Sequence, residues 1–119
     1  VDEPHTIAHA IENPSPPSGN QILRVIRRNG GMVVAVDDDE IIEAQGLMAQ
    51  NGLFVQPASA AAVAACKKLN EEKKINKDDL VVCIATASGL KFSEALKFHK
   101  KDIISCSLEN LEANLQSNL

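Results

Sequence analysis

Tryptophan and tyrosine are absent from this 119-residue chain, and three phenylalanines supply its whole aromatic content. A core here has to be built from aliphatic and small side chains, which favours close packing of helices on a sheet. Excess positive charge is lacking as well. The net charge is −4, and the basic residues are scattered apart from Arg24, Arg27, Arg28 and Lys97, Lys100, Lys101. Neither group is interleaved with aromatics, so nucleic acid is excluded as a partner and both groups read as solvated helix faces. No apolar run approaches the ~20 residues of a membrane span. The first residues, charged and proline-containing, are unlike a secretory signal. Cys66, Cys83 and Cys106 are odd in number, far apart and without a C-x-x-C pair, which points to reduced thiols and a cytoplasmic location.

What is present is aliphatic: 45% of residues are hydrophobic and alanine is abundant. The length suits one α/β unit over residues 1–119, able to remove roughly 65% of its unfolded surface from water. Val1 to Gly19 holds four of the five prolines and reads as an extended loop. From Asn20, Ile22, Leu23, Val25 and Ile26 recur with helical spacing until Asn29-Gly30-Gly31 stops them. Met32 to Val36 is a β-branched run, expected to be a buried strand, closed by Asp37-Asp38-Asp39-Glu40, where Asp37 and Glu40 can form a capping box. The following helix places Ile41, Ile42, Ala44, Leu47 and Met48 on one side and ends at Asn51-Gly52. Leu53-Phe54-Val55 is extended, Pro57 suits a helix start, and Ala58 to Cys66 is small enough for tight packing. Leu80 to Ala85, apolar throughout, predicts a second strand covered on both faces of a parallel sheet. A tail strand over 102–106 and a helix over 107–117, with Leu108, Leu111 and Leu115 inward, complete the reading.

In open parallel sheets ligands gather beyond the carboxyl ends of strands, which singles out the turns Asp37 to Glu40 and Thr86 to Gly89. The acidic turn is accounted for as a helix cap. Thr86-Ala87-Ser88-Gly89 is the better candidate, because short polar side chains and a glycine admit a small ligand near the backbone. The alternative for these four residues is an ordinary turn. His5 and His9 lack the intervening Glu of a zinc-protease pattern, and no metal site is expected. His99 sits among lysines and reads as exposed, and Cys83 as a small buried hydrophobe. No catalytic Ser-His-Asp or Cys-His set can be assembled.

Three segments in order carry a resemblance: Pro4-His5-Thr6-Ile7-Ala8-His9-Ala10-Ile11, Gln56-Pro57-Ala58-Ser59-Ala60-Ala61-Ala62 and Thr86-Ala87-Ser88-Gly89-Leu90-Lys91. They are similar to the P-x-T-I-A-x-A-I, E-P-A-S-A-A and T-G-x-G-L-K segments of the threonine synthase family. The likeness runs from about Glu3 to Lys91 and is looser beyond. It implies an α/β, parallel-strand layered part of the larger domain of a fold-type-II pyridoxal-phosphate enzyme. The implied reaction converts O-phosphohomoserine and water to threonine and phosphate, a carbon–oxygen lyase reaction.

On that resemblance, Thr86 aligns with the residue whose hydroxyl faces the pyridine nitrogen of pyridoxal phosphate. Ala87 follows it, and Thr6, Ile7 and Ala8 lie near the ring. A hydroxyl, unlike a carboxylate, does not hold the nitrogen firmly protonated, which favours elimination chemistry. Gln56 stands where the family has Glu, removing a charge near the cofactor, and Ala87 stands where it has Gly. The family's Schiff-base lysine and glycine-rich phosphate loop belong to earlier segments, and Lys91 does not match that lysine. The chain is therefore expected to be the C-terminal part of a longer enzyme, inactive and colourless alone, with the N-terminal portion as partner and homo-oligomers as the assembly. Two rivals stay open: another fold-type-II lyase such as threonine dehydratase, and a non-catalytic binding or assembly module that keeps the fold.

Overall fold

Helix ends are where local sequence is realised most directly. The computed structural model describes residues 2–92, 94–99 and 105–118. Helix α1 spans Gly19–Arg28, α2 Asp38–Gln50, α3 Pro57–Glu71, α4 Ala95–Phe98 and α5 Leu111–Asn118, with short 3₁₀ turns at His9–Ile11, Gly89–Lys91 and Leu108–Asn110. The capping box forms: the Glu40 N–H donates to Asp37 Oδ1 and the Asp37 N–H to Glu40 Oε2, both at 2.8 Å. That box, together with Lys68, holds the Glu40 carboxyl below its ordinary pKa.

α1, α2 and α3 end alike. In each, a residue at positive φ follows the cap, and two backbone N–H groups fold back onto the last turn. Gly30 and Gly52 fill that position after α1 and α2, as the sequence indicated, whereas α3 places Lys73 there at φ 57°. Pro57 occupies the first turn of α3, where its missing N–H has no partner to lose.

α2 and α3 pack against each other and make the core. Its buried members are Ala8, Ile41, Ala44, Val55, Ala60 and Ala64, flanked by Ile7, Val36, Met48, Ala58, Ala61 and Val63. Only Ile41 and Val55 among the buried six are large, each worth about 2 kcal/mol of burial, so the apolar contribution is modest. The alanine face of α3 is thus tight packing, as its composition suggested. Lys67 pairs with Glu43 at 2.5 Å and Lys68 with Glu40 at 3.0 Å across the rim of this helix pair.

The fold is open. A closed domain of 12.8 kDa exposes about 6,300 Å², yet this chain exposes 9587 Å². Its radius of gyration, 18.3 Å, compares with about 13.5 Å for a closed domain of this length. Much of the excess is apolar and sits on the two runs read as strands: Val33 is 73% exposed, and Leu80, Val82 and Ile84 are 93%, 80% and 72% exposed. On the first run Val34 and Val36 are half-buried on either side of exposed Ala35, the period of two of an extended chain, whereas on the second Cys83 alone is half-buried.

No ladder forms on either run. Among the described residues the pairing of extended chain is confined to an isolated antiparallel bridge, Val55 to Ser88. The expected strands 32–36 and 80–85 have no strand beside them, so the parallel layering is not built within the described residues.

Other expectations shift with the same openness. Ile22, Leu23 and Val25 of α1, Leu47 of α2, and Leu108, Leu111 and Leu115 at the last helix are exposed rather than inward. Ser107 precedes that last helical stretch without a side-chain cap bond. The tail strand over 102–106 lies largely outside the described residues, as do Lys100 and Lys101 of the basic cluster. Among the described residues no helix is long and apolar enough to cross a membrane.

Candidate functional site

Gln56 sits at the N-cap of α3 in extended backbone, but its side chain makes no capping bond. It turns instead to Thr86, with Nε2 donating to Thr86 Oγ1 at 3.1 Å. One turn into α3, Ser59 Oγ lies 2.8 Å from the same hydroxyl and accepts the Thr86 N–H at 3.1 Å. Gln56 and Ser59 are buried, whereas Thr86 is exposed. Backbone pairing fixes the register: the Gln56 N–H donates to the Ala87 carbonyl at 2.9 Å and the Gly89 N–H to the Phe54 carbonyl at 3.0 Å.

This pairing explains Gly89 differently from the sequence reading. A Cβ at Gly89 would stand 2.6 Å from the Phe54 ring and 2.7 Å from the Val55 carbonyl oxygen. The glycine admits the chain's own 54–55 backbone rather than a ligand.

A hydroxyl offers one proton and two acceptor positions. Ser59 Oγ already accepts the Thr86 N–H, so its proton can go to Thr86 Oγ1, or the Thr86 proton can come to it. In the first arrangement Gln56 and Ser59 fill both acceptor positions of Thr86. Its proton is then left to point outward.

Thr6, Ile7 and Ala8 are held elsewhere, by Asp38 and Glu12. The Thr6 hydroxyl donates to Asp38 Oδ1 at 2.5 Å and accepts the Ala8 N–H at 3.1 Å. Asp38 Oδ2 accepts the Ile7 N–H at 3.2 Å, and Glu12 Oε1 the Thr6 N–H at 3.1 Å. Ala8 enters the core. The acidic turn after the first β-branched run is therefore more than a cap, because Asp38 is the anchor of the 6–8 loop.

Glu12 also accepts from His9 Nδ1 at 2.8 Å. The His9 bond, then the Thr6 N–H and the charges of His9 and His5, outweigh desolvation and hold the Glu12 carboxyl below its ordinary 4.5. A depressed carboxyl stabilises the fold fully above its ordinary value and loses that contribution as pH falls through the lowered folded value. The Thr6 amide resonance is accordingly expected to titrate with a midpoint below 4.5. A midpoint at or above that value in a nitrogen–proton NMR titration would show that the clamp does not form.

The candidate residues fall into separate groups. Thr86 and Ala87 join Gln56 and Ser59, while Thr6 and Ala8 point into the 6–12 loop and the core. Ile7 opens onto a cleft of about 220 Å³ that Pro57, Lys91 and Phe92 also line. Among the described residues no His, Cys, Asp and Glu side chains gather in a metal-ligating group of three or more.

Two side chains behind the site escaped the sequence reading. Gln45, 1% exposed, donates through Nε2 to the Val55 carbonyl at 2.6 Å. Its oxygen lies 2.8 Å from His99 Nε2, and because the amide nitrogen is already committed, that His99 nitrogen carries the proton. The His99 ring packs edge-on to Phe54 at 6.5 Å and is half-buried, not exposed among its lysines. Gln45 falls on the stripe of Ile41, Ala44 and Met48, so its position was readable, but its partners were not.

The profile of the pyridoxal-phosphate dependent enzyme family matches residues 1–87. The threonine synthase of Methanocaldococcus jannaschii is 47% identical over 93 residues, 77% of this chain and 23% of that protein. That of Methanosarcina acetivorans is 42% identical over 91 residues, 76% of this chain and 22% of that protein. Threonine synthase of a Bacillus species is 36% identical over 109 residues, 90% of this chain and 31% of that protein. The chain thus spans about a quarter of the length of the curated relatives it matches. With most of its length matched by the family profile, the chain belongs to the pyridoxal-phosphate dependent enzymes.

Proposed function

We propose that this chain is the C-terminal part of a threonine synthase, which converts O-phosphohomoserine and water to threonine and phosphate with pyridoxal phosphate. The observation that carries this reading is the cluster of Gln56, Ser59 and Thr86, where the second and third family-like segments meet through hydrogen bonds. The residues fit the cofactor. An unprotonated pyridine nitrogen is an acceptor, and a Thr86 oxygen filled by Gln56 and Ser59 leaves a proton to donate to it.

Bound pyridoxal phosphate supplies an electron sink for the substrate carbon that loses a proton. Within this chain, Thr86 orients the ring edge, Gln56 and Ser59 hold Thr86, and neutral Gln56 brings no charge to that edge. Ala87 sits beside Thr86, and Thr6 to Ala8, anchored by Asp38 and Glu12, form a wall near the ring. The lysine that binds the cofactor and the loop that holds its phosphate are assigned to other segments of the parent.

The same reading covers the fold. Residues 1–119 are one α/β unit of a larger parallel-layered domain, in which 32–36 and 80–85 are strands. Val33, Leu80, Val82 and Ile84 are the faces that the remainder of the parent covers, which accounts for so much exposed apolar surface. The parent is a cytoplasmic homo-oligomer on this reading.

The reading frame tests it. A lysine-bearing segment and a glycine-rich loop in frame upstream of Val1 support the proposal, and an in-frame stop directly upstream opposes it. The complete product should release phosphate from O-phosphohomoserine and yield threonine. Ammonia and a 2-oxo acid formed from threonine, with no phosphate release, would point to a dehydratase instead.

A further inference from the structure

Cys66 and Cys83 are free, half-buried thiols, the first on α3 and the second in the run over 80–85. The Cys83 thiol donates to the Ala62 carbonyl at 3.6 Å. In an α-helix that carbonyl also receives the N–H of the residue four positions on, which here is Cys66. Helical side chains lean back toward the N-terminus, so the Cys66 side chain reaches over the same turn on which Cys83 Sγ rests. Burial first, and then the neighbouring Cys66, push the Cys83 thiol above its ordinary pKa. Cys106 is exposed, at the far end of the chain.

We propose that Cys66 and Cys83 form a dithiol site that reacts with a small disulfide, such as oxidised glutathione, and closes into a disulfide joining α3 to the 80–85 run. Cys66 attacks first, since burial disfavours the thiolate of Cys83. The Cys66 thiolate, having released its proton, bonds to one sulfur of the small disulfide, whose S–S bond breaks. The departing thiolate takes up a proton. Cys83 then loses its proton and attacks the Cys66 sulfur of the mixed disulfide, expelling the second small thiol. Two protein S–H bonds and one small-molecule S–S bond become one protein S–S bond and two small thiols. The protein is oxidised by two electrons and the small disulfide reduced by two.

The link has a structural consequence. Cys83 lies just before Thr86, and Cys66 lies on the same helix as Ser59, so closure ties together the two elements that meet at the Ser59–Thr86 hydrogen bond. The inference stands apart from the proposed reaction, because it needs neither cofactor nor activity.

Peptide mapping of this chain after exposure to oxidised glutathione tests it. In native buffer the Cys66-to-Cys83 linked peptide should dominate, and its lead over pairings with Cys106 should fall at least about tenfold in concentrated urea, where folding no longer holds the sulfurs together. The Cys83→Ser variant should stop at glutathione on Cys66. Separate glutathione adducts on both cysteines in the native wild type, or an identical product ratio with and without urea, would overturn the proposal. If a serine variant fails to fold by circular dichroism, the wild-type comparison in the two solvents still decides.

Discussion

Gly89→Ala is expected to destabilise this chain by about 3 kcal/mol, the upper range for forcing one extra carbon into a filled site. The new Cβ would press on the Phe54 ring at 2.6 Å and on the Val55 carbonyl at 2.7 Å. A ring can rotate, but the carbonyl belongs to the backbone that Gln45 holds from behind, through a 2.6 Å bond. Relief therefore has to come from separating the 54–56 and 87–89 segments, which breaks the Gln56-to-Ala87 and Gly89-to-Phe54 bonds. With two large residues in the buried core, there is little stability elsewhere to absorb the loss. Gly19→Ala is the control, because its Cβ meets only Pro16 at 3.5 Å, an ordinary contact. Urea denaturation of both variants checks this, and equal midpoints for Gly89→Ala and wild type would refute the close approach.

Thr86→Val should lower turnover of the complete enzyme about a hundredfold, the effect of removing one well-placed donor from a water-poor site. Valine preserves the shape but offers nothing to a ring nitrogen, and it leaves the Gln56 amide and the Ser59 hydroxyl without their acceptor. Thr86→Ser keeps the hydroxyl and should retain most of the activity. Equal turnover for Thr86→Val and Thr86→Ser would remove Thr86 from the chemistry and leave it a packing residue.

What could be read from the sequence was local. The Asp37–Glu40 box, the Gly30 and Gly52 helix ends and the Pro57 start each depend on neighbours within a few positions, and all three are in the structure. Thr86 was singled out by its place after an apolar run, but its bonds to Gln56 and Ser59, which span 30 and 27 positions, were not legible. Asp38 and Gln45 were not, because their bonds to Thr6 and His99 span 32 and 54 positions. Lys73 at positive φ was invisible for another reason: glycine usually marks such a position, and nothing local distinguishes this lysine from its neighbours. The two β-branched runs announce buried strands by composition, yet a strand is made by its neighbour's hydrogen bonds, and none of the described residues supplies them.

The account rests on Thr86 presenting a proton to an unprotonated cofactor nitrogen, with Gln56 and Ser59 behind it. Nitrogen-15 NMR of the complete enzyme loaded with ring-labelled pyridoxal phosphate measures this directly. The account predicts a chemical shift in the range of an unprotonated, hydrogen-bonded pyridine, moving toward the free-acceptor value in Thr86→Val. A pyridinium shift in the wild type, unchanged in Thr86→Val, would contradict it.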